Sequence, residues 1–399
     1  MNKLFNKKLL NILVIVVLIL TITGCKDKDK FASTTSTFVK EPETNNTLSG
    51  DKESNIPKEK TSDKQTNDTQ DTEKDISNKD NMEEKKEDDH EGETINSLTG
   101  LWISEEAANR RPVGIMINNL RDAMPQSGVA QADIIYETLV EGEITRLFAI
   151  YRDFDAKKIG PVRSARHYYL DFAFDHDSIY AHYGQSEYAR RKFTEWNSPH
   201  INGLSWLDTI MTYQDPSRER PHSTYTSYEK LMKTWDKVGY RKTNKENFNA
   251  KLKFADEEFD IDSNLDAPLV QLSYFSRNKN PWFEYNKDDK LYYRFQFGDK
   301  QIDRETGEQL KFKNIIIQFA SIWQIKGDKL GCRDMSLITS GNGYYITNGK
   351  AQKITWKKPS HYKPTLYFNE DGEEIKLNKG KTWICVNPKS RKDKIKFTK

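Results

Sequence analysis

Several familiar signals are missing from this chain of 399 residues, and each absence removes a class of function. The longest uninterrupted apolar run, Ile12 to Leu20, is too short for a spanning helix, which takes about 20 apolar residues. Cysteine is scarce, with three residues and no Cys-x-x-Cys pair. No His-x-x-x-His spacing accompanies them, so neither a metal nor another cofactor is expected. Gly-x-Ser-x-Gly is absent, which removes the nucleophile elbow of a hydrolase. No nucleic-acid-binding module is recognisable, and no internal repeat is evident. From Lys26 to Ser97 apolar residues themselves almost disappear, and such a composition cannot bury enough surface to offset the entropy of ordering.

What is present begins with an export signal. Lys3, Lys7 and Lys8 precede the apolar run, and small residues lead into Cys25 through Ile22-Thr23-Gly24. This is the order of a bacterial lipoprotein signal, residues 1–25, with Cys25 as the lipidated residue. An uncleaved membrane anchor is the plainer alternative. A diacylglycerol thioether with a further acyl chain such as palmitate supplies the two chains that stable anchoring needs. The expected location is the outer face of the cytoplasmic membrane. Residues 26–97 then read as a charged tether, which as a flexible coil would hold the body about 45 Å from the membrane. Lys26 to Gly100 carries 12 lysines against 20 acidic residues, a net of −8. With +3 on the signal and +3 overall, the remaining chain carries +8. A basic body on an acidic tether suits anionic envelope material, although a lysine excess also simply keeps a domain soluble.

The part beyond the tether is long enough for two domains, placed at 98–245 and 246–399, with the boundary in the polar stretch Arg241 to Ser263. The fold class is α+β, a mixed α/β domain followed by a β-rich domain built as an antiparallel meander or small barrel. In the first, Val113 to Ile117 reads as a buried strand, and Gln131 to Val140 pairs with Ile144 to Tyr151 about the turn Glu141-Gly142-Glu143. Ser186 to Trp196 reads as a helix. Another starts near Thr226, where Thr226 and Glu229 form a capping box and Leu231, Trp235 and Val238 share a face. In the second, Asn348-Gly349, Asp371-Gly372 and Lys379-Gly380 read as hairpin turns. Cys332 and Cys385 there either pair as a disulfide or stay as separate buried thiols.

The densest polar cluster is Gly160 to Tyr169, after a strand that opens with Arg146. Arg146, Arg163 and Arg166 converging at a strand end would bind phosphate or carboxylate oxygens. If Ser164 began a helix, its amides would add to the site. The alternative is an internal salt-bridge network with Asp133, Glu137, Glu141, Glu143 or Asp171. His167, His182 and Ser186 are candidates for the same cleft, although a lone histidine at a strand end is usually structural. Arg218, Arg220 and His222, in a loop before the capped helix, could join them or sit in a solvated turn. Asp175, His176, Asp177 and His182 form only a weak metal pattern, and no catalytic residue is assigned.

The runs Gln126-Ser127-Gly128, Ala132 to Glu137, Glu141 to Arg146 and Gly160 to Arg166 resemble the YerB-like lipoproteins of Gram-positive bacteria. So do Gly341-Asn342-Gly343, Gly349-Lys350, Ile354-Thr355-Trp356 and Gly380 to Ile384, which are similar to that family's carboxy-terminal domain. The resemblance covers everything beyond the tether and implies an envelope lipoprotein, but it supplies no reaction, because the family is a domain of unknown function. The order of arginines also looks faintly like the LytR-CpsA-Psr transferases, without their Ser-x-Pro-Arg-Asp corner.

Three functions follow as expectations. The first is a membrane-tethered accessory protein binding an anionic wall polymer or lipid-linked phosphate at Arg146, Arg163, Arg166 and Ser164. The second is an enzyme of envelope phosphate chemistry, in which the arginines stabilise a transferring phosphoryl group. The third is a structural lipoprotein docking an envelope protein through its aromatic-rich strands.

Overall fold

The computed structural model describes residues 90–246, 248, 250–276 and 280–398. The signal, Cys25 and all but the end of the tether lie outside the described residues. An 11-stranded mixed sheet runs through the body. Its order from one edge is Leu265–Asp266, Lys350–Lys357, Ser340–Thr347, Asn314–Ala320, Thr382–Pro388, Ile134–Leu139, Thr145–Tyr151, Val113–Asn118, Ile179–His182 and His200–Asn202, with Leu366–Phe368 beside Lys350–Lys357. The sheet therefore takes strands from both halves of the sequence. They join where Thr382–Pro388 pairs parallel with Ile134–Leu139 on one side and with Asn314–Ala320 on the other.

Both faces of this sheet are covered, which explains strands that are apolar without alternation; Val113–Asn118 and Ile134–Leu139 are buried at every position. On one face Met116, Tyr136, Phe148, Ile316 and Ile384 pack against the helices Tyr169–Asp175 and Glu187–Glu195. On the other, Ile115, Leu147, Ile317 and Trp383 meet the helix Tyr228–Val238 and a five-stranded antiparallel sheet. That smaller sheet is a meander of Leu269–Gln271, Trp282–Asn286, Leu291–Gln296 and Asp299–Lys300, with Lys311–Phe312 beside its third strand. A glycine is required within Val113–Asn118, since a Cβ at Gly114 would fall 2.1 Å from the Phe148 ring on the neighbouring strand. The polar stretch between the halves lies against the body, with Lys251, Leu252 and Ile261 buried.

The α+β class and its β-rich second half agree with the sequence reading, and several local details differ. Asn348-Gly349 makes the expected hairpin, with φ of 48° and 78°. Lys379-Gly380 does not, because the strand it precedes pairs parallel on both sides. Ser227, not Thr226, caps the Tyr228–Val238 helix by accepting from the Lys230 amide, while the Thr226 hydroxyl donates to the Met211 carbonyl. Cys332 and Cys385 are buried free thiols. Among the described residues no helix is long and apolar enough to cross a membrane.

Candidate functional site at the carboxyl edge of the sheet

Six strands of the large sheet run in one direction near its centre and one end, and ligands of open α/β sheets gather beyond the carboxyl ends of such strands. The segment Val162 to Arg166 is stitched across those ends. The Arg163 amide donates to Met116 O, its carbonyl accepts from the Tyr183 amide, and the Ala165 amide donates to Gly184 O. This bridging role keeps Ser164 extended, so no helix begins there; the helix starts only at Tyr169. Strand neighbours thus bring Arg146, Arg163 and Arg166 to one edge.

They converge around a carboxylate. Arg166 grips Glu141 with two nitrogens, Nε to Oε1 and Nη2 to Oε2, the latter at 2.6 Å. Arg146 lies 3.8 Å from the same carboxylate and donates to Ser164 O at 2.5 Å, a carbonyl that Arg166 also reaches. Burial would raise the Glu141 pKa, but Arg166 and Arg146 outweigh it and hold the carboxyl below its ordinary value. Burial, then repulsion from Arg166, pushes Arg146 down to about 10 against the opposing pull of Glu141. Arg163 is different. Its Nη1 donates to Pro221 O at 3.1 Å, and its buried Nε has no partner.

The loop from Arg218 to His222 reaches the same edge. His222 Nδ1 lies 2.8 Å from Asn118 Nδ2, and the Asn118 oxygen accepts from the Leu120 amide. The amide orientation so fixed makes Nδ1 an acceptor and puts the neutral ring's proton on Nε2. Burial, then Arg163, holds the His222 pKa below its usual value. Arg218 is spent on the Met124 and Pro125 carbonyls, both at 2.8 Å, and Arg220 is exposed.

Three other candidates are occupied. His182 is wholly buried, with Nδ1 2.7 Å from Gly184 O and Nε2 2.9 Å from His200 Nδ1, so it fixes the strand end and offers nothing to a cleft. Ser186 caps the Glu187–Glu195 helix by accepting from the Ala189 amide. His167 pairs through Nε2 with Asp334 at 2.9 Å, and its buried Nδ1 has no partner. The weak metal pattern dissolves. Asp175 is bound by Lys251, Lys358 and Thr365, His176 by Tyr136, and Asp177 by Arg111 and Arg241. Among the described residues no cluster could hold a metal ion.

Sequence reasoning missed a second constellation only four residues from Glu141. Glu137 is fully buried and accepts from Arg294 at 2.7 Å, Thr145 at 2.9 Å, and Asn119 and Trp383 each at 3.2 Å. The Arg294 guanidinium sits 4.6 Å from the Trp383 ring centre and 4.7 Å from that of Phe283. Burial raises the Glu137 pKa and Arg294 opposes it. No local pattern announces Arg294 or Asp334. Asn118-Asn119, a polar pair closing an apolar strand, was the signal that could have been read.

The comparisons with known proteins agree with this architecture. Residues 98–241 match the N-terminal domain and residues 270–384 the C-terminal domain of a protein family of unknown function, DUF3048. The chain is 34% identical over 297 residues to YerB of Bacillus subtilis (strain 168), whose name describes it as a candidate lipoprotein; the match covers 73% of this chain and 85% of that protein. A crystal structure of YerB from Bacillus subtilis superposes with a TM-score of 0.68 at 31% identity, covering 77% of this chain and all of the crystallised one. On these matches, together with its two-part fold, the chain belongs to the DUF3048 family, alongside YerB.

Proposed function

We propose that this protein is a lipid-anchored, extracytoplasmic binding protein of the cell envelope whose carboxyl-edge site takes an anionic ligand, either a wall polymer or a lipid-linked phosphate. One observation carries the reading. Two guanidinium groups, Arg146 and Arg166, share the single carboxylate of Glu141, and Arg163 close by keeps a buried Nε without a partner. A buried donor left unmade costs about 1–3 kcal/mol, and an oxyanion beside Arg163 would satisfy it. The neutral His222 can add its Nε2 proton. Arg146 and Arg166 act as the charged floor, held in place by Glu141. The lipoprotein-type signal ending at Cys25 and the likeness to YerB support the location.

The test is binding of the chain from Lys26 onward to purified anionic wall polymer and to vesicles carrying anionic lipid, beside Arg163→Ala, at two salt concentrations. Salt-sensitive binding that the variant loses is expected. Equal binding by both proteins would overturn the reading. A second reading, catalysis on an envelope phosphate, is favoured by the Asp334–His167 pair, which is how a carboxylate orients a histidine base. It predicts turnover that Asp334→Asn abolishes while ligand binding survives.

A further inference from the structure

At the opposite edge, beyond the amino ends of the central parallel strands, lies a cleft of about 460 Å³, within the range of small-molecule sites. It does not coincide with the arginine cluster. Its walls come from both halves of the chain, and they combine apolar surface from Leu101 and Leu291 with Lys311, Lys313, Lys379 and Lys381. Among the described residues Glu258 and Glu308 are the only acids in the lining, and no arginine lines it.

The lysines are set there by backbone. Gly380, in one of the stretches that carry the family resemblance, has φ of 138°, and a Cβ on it would fall 2.6 Å from Lys313 Cβ. The amides of Lys313 and Asn314 both donate to Lys381 O at 3.1 Å. Only glycine permits this approach, which locks the two lysine-bearing strand starts side by side. Lys313 is held by Glu258 and Asn348, at 2.5 and 2.6 Å, and Lys381 donates to Ala130 O. Lys311 and Lys379 are exposed and have no ion pair among the described residues. Leu101 on the wall is 44% exposed, uncovered apolar surface beside uncompensated charge.

We propose that this cleft is a second ligand site, for a compact molecule that joins an apolar body to a phosphate group. Lysine ammonium groups bind phosphate as mobile point charges, whereas planar carboxylate recognition favours arginine forks. Two fixed ammonium groups and two without an ion pair, one of them resting over the Tyr293 ring, suit a dianion that enters and is then enclosed. The apolar wall excludes a site for inorganic phosphate alone. The proposal does not depend on the arginine cluster.

The experiment titrates the chain from Lys26 onward with hexyl phosphate, inorganic phosphate and hexanol, by calorimetry and by amide chemical shifts. Hexyl phosphate should bind at least about tenfold more tightly than either fragment, with shifts at Leu101, Ala130 and Gly380. The double variant Lys311→Glu, Lys379→Glu, both positions exposed, should weaken it about tenfold or more at unchanged Tm, as charge reversal beside a dianion does. Arg163→Ala should bind it normally, so that failure here and failure at the arginine cluster are separable. Vesicles containing phosphatidic acid give the source: competition by hexyl phosphate marks a lipid headgroup, and no vesicle binding beside tight hexyl phosphate binding marks a soluble phosphate. Equal affinity for hexanol, undiminished binding by the double variant, or shifts confined to other residues would overturn the proposal.

Discussion

Two arginine–glutamate groupings stand four residues apart at one strand end, and they are built for opposite purposes. Around Glu137 one cation meets one anion, both wholly buried, walled by Trp383 and Phe283. Around Glu141 two cations share one anion, with a third, Arg163, close by, and the grouping is partly open to solvent. A balanced and enclosed pair fixes packing. An unbalanced and open one keeps attraction to spare for something else.

The sharpest way to break the comparison is Glu137→Gln. Removing one member of a buried pair leaves the other charge uncompensated, and a loss of about 3–5 kcal/mol is expected in urea unfolding. Glu137→Leu combined with Arg294→Met should recover most of it, since no charge is then left buried. Next in size is acid. Burial pushes His176 down to about 3 and holds the equally buried His182 well below its usual value. Between the unfolded pKa near 6.5 and those folded values the unfolded chain binds more protons, so stability present above pH 6.5 is lost as pH falls. From His176 alone the loss is on the order of 3 kcal/mol by pH 4. Asp133, which burial raises to about 6, opposes it by gaining a proton more readily when folded. Unfolding midpoints measured from pH 7 to 4 should fall, and His176→Gln should flatten the slope.

Glu141→Gln comes third. It removes a charge-assisted double hydrogen bond and should cost about 1–3 kcal/mol, while anion binding at the edge gains strength and salt dependence. Arg163→Ala should be smallest for the fold, within about 0.5 kcal/mol by thermal melting, and largest for anion binding. A destabilisation by Arg163→Ala as large as that of Glu137→Gln would erase the distinction between the two groupings.

Much of the first half was legible because its signals are local. The Ile134–Leu139 and Thr145–Tyr151 hairpin, the buried Val113–Asn118 strand and the Ser186-capped helix all follow from periodicity and turn chemistry. So did the convergence of the arginines, since a strand start and the corner after it meet at one edge. Glu141 was only one of five candidate partners, because reach in space is not spacing in sequence. Asp334 lies 167 residues from His167, and Arg294 lies 157 from Glu137. Ser164 looked like a helix start because nothing local shows that its neighbours are claimed by two other strands. Lys379-Gly380 read as a hairpin turn because nothing local shows that the Thr382–Pro388 strand after it takes parallel partners on both sides, a choice made by tertiary packing.

That strand also sets an order of events. It follows every other strand of the sheet in sequence yet occupies the middle, between strands that begin at Ile134 and Asn314. Until it is made, each of those strands carries an open row of backbone donors and acceptors, the kind of edge that recruits foreign strands. The sheet therefore cannot close until its last strand in sequence has been made. Closure brings together segments some 250 residues apart, which makes folding slow and concerted. A chain interrupted before Thr382 would leave the sheet divided and expose two sticky margins, giving proteases a direct way to tell closed sheets from open ones.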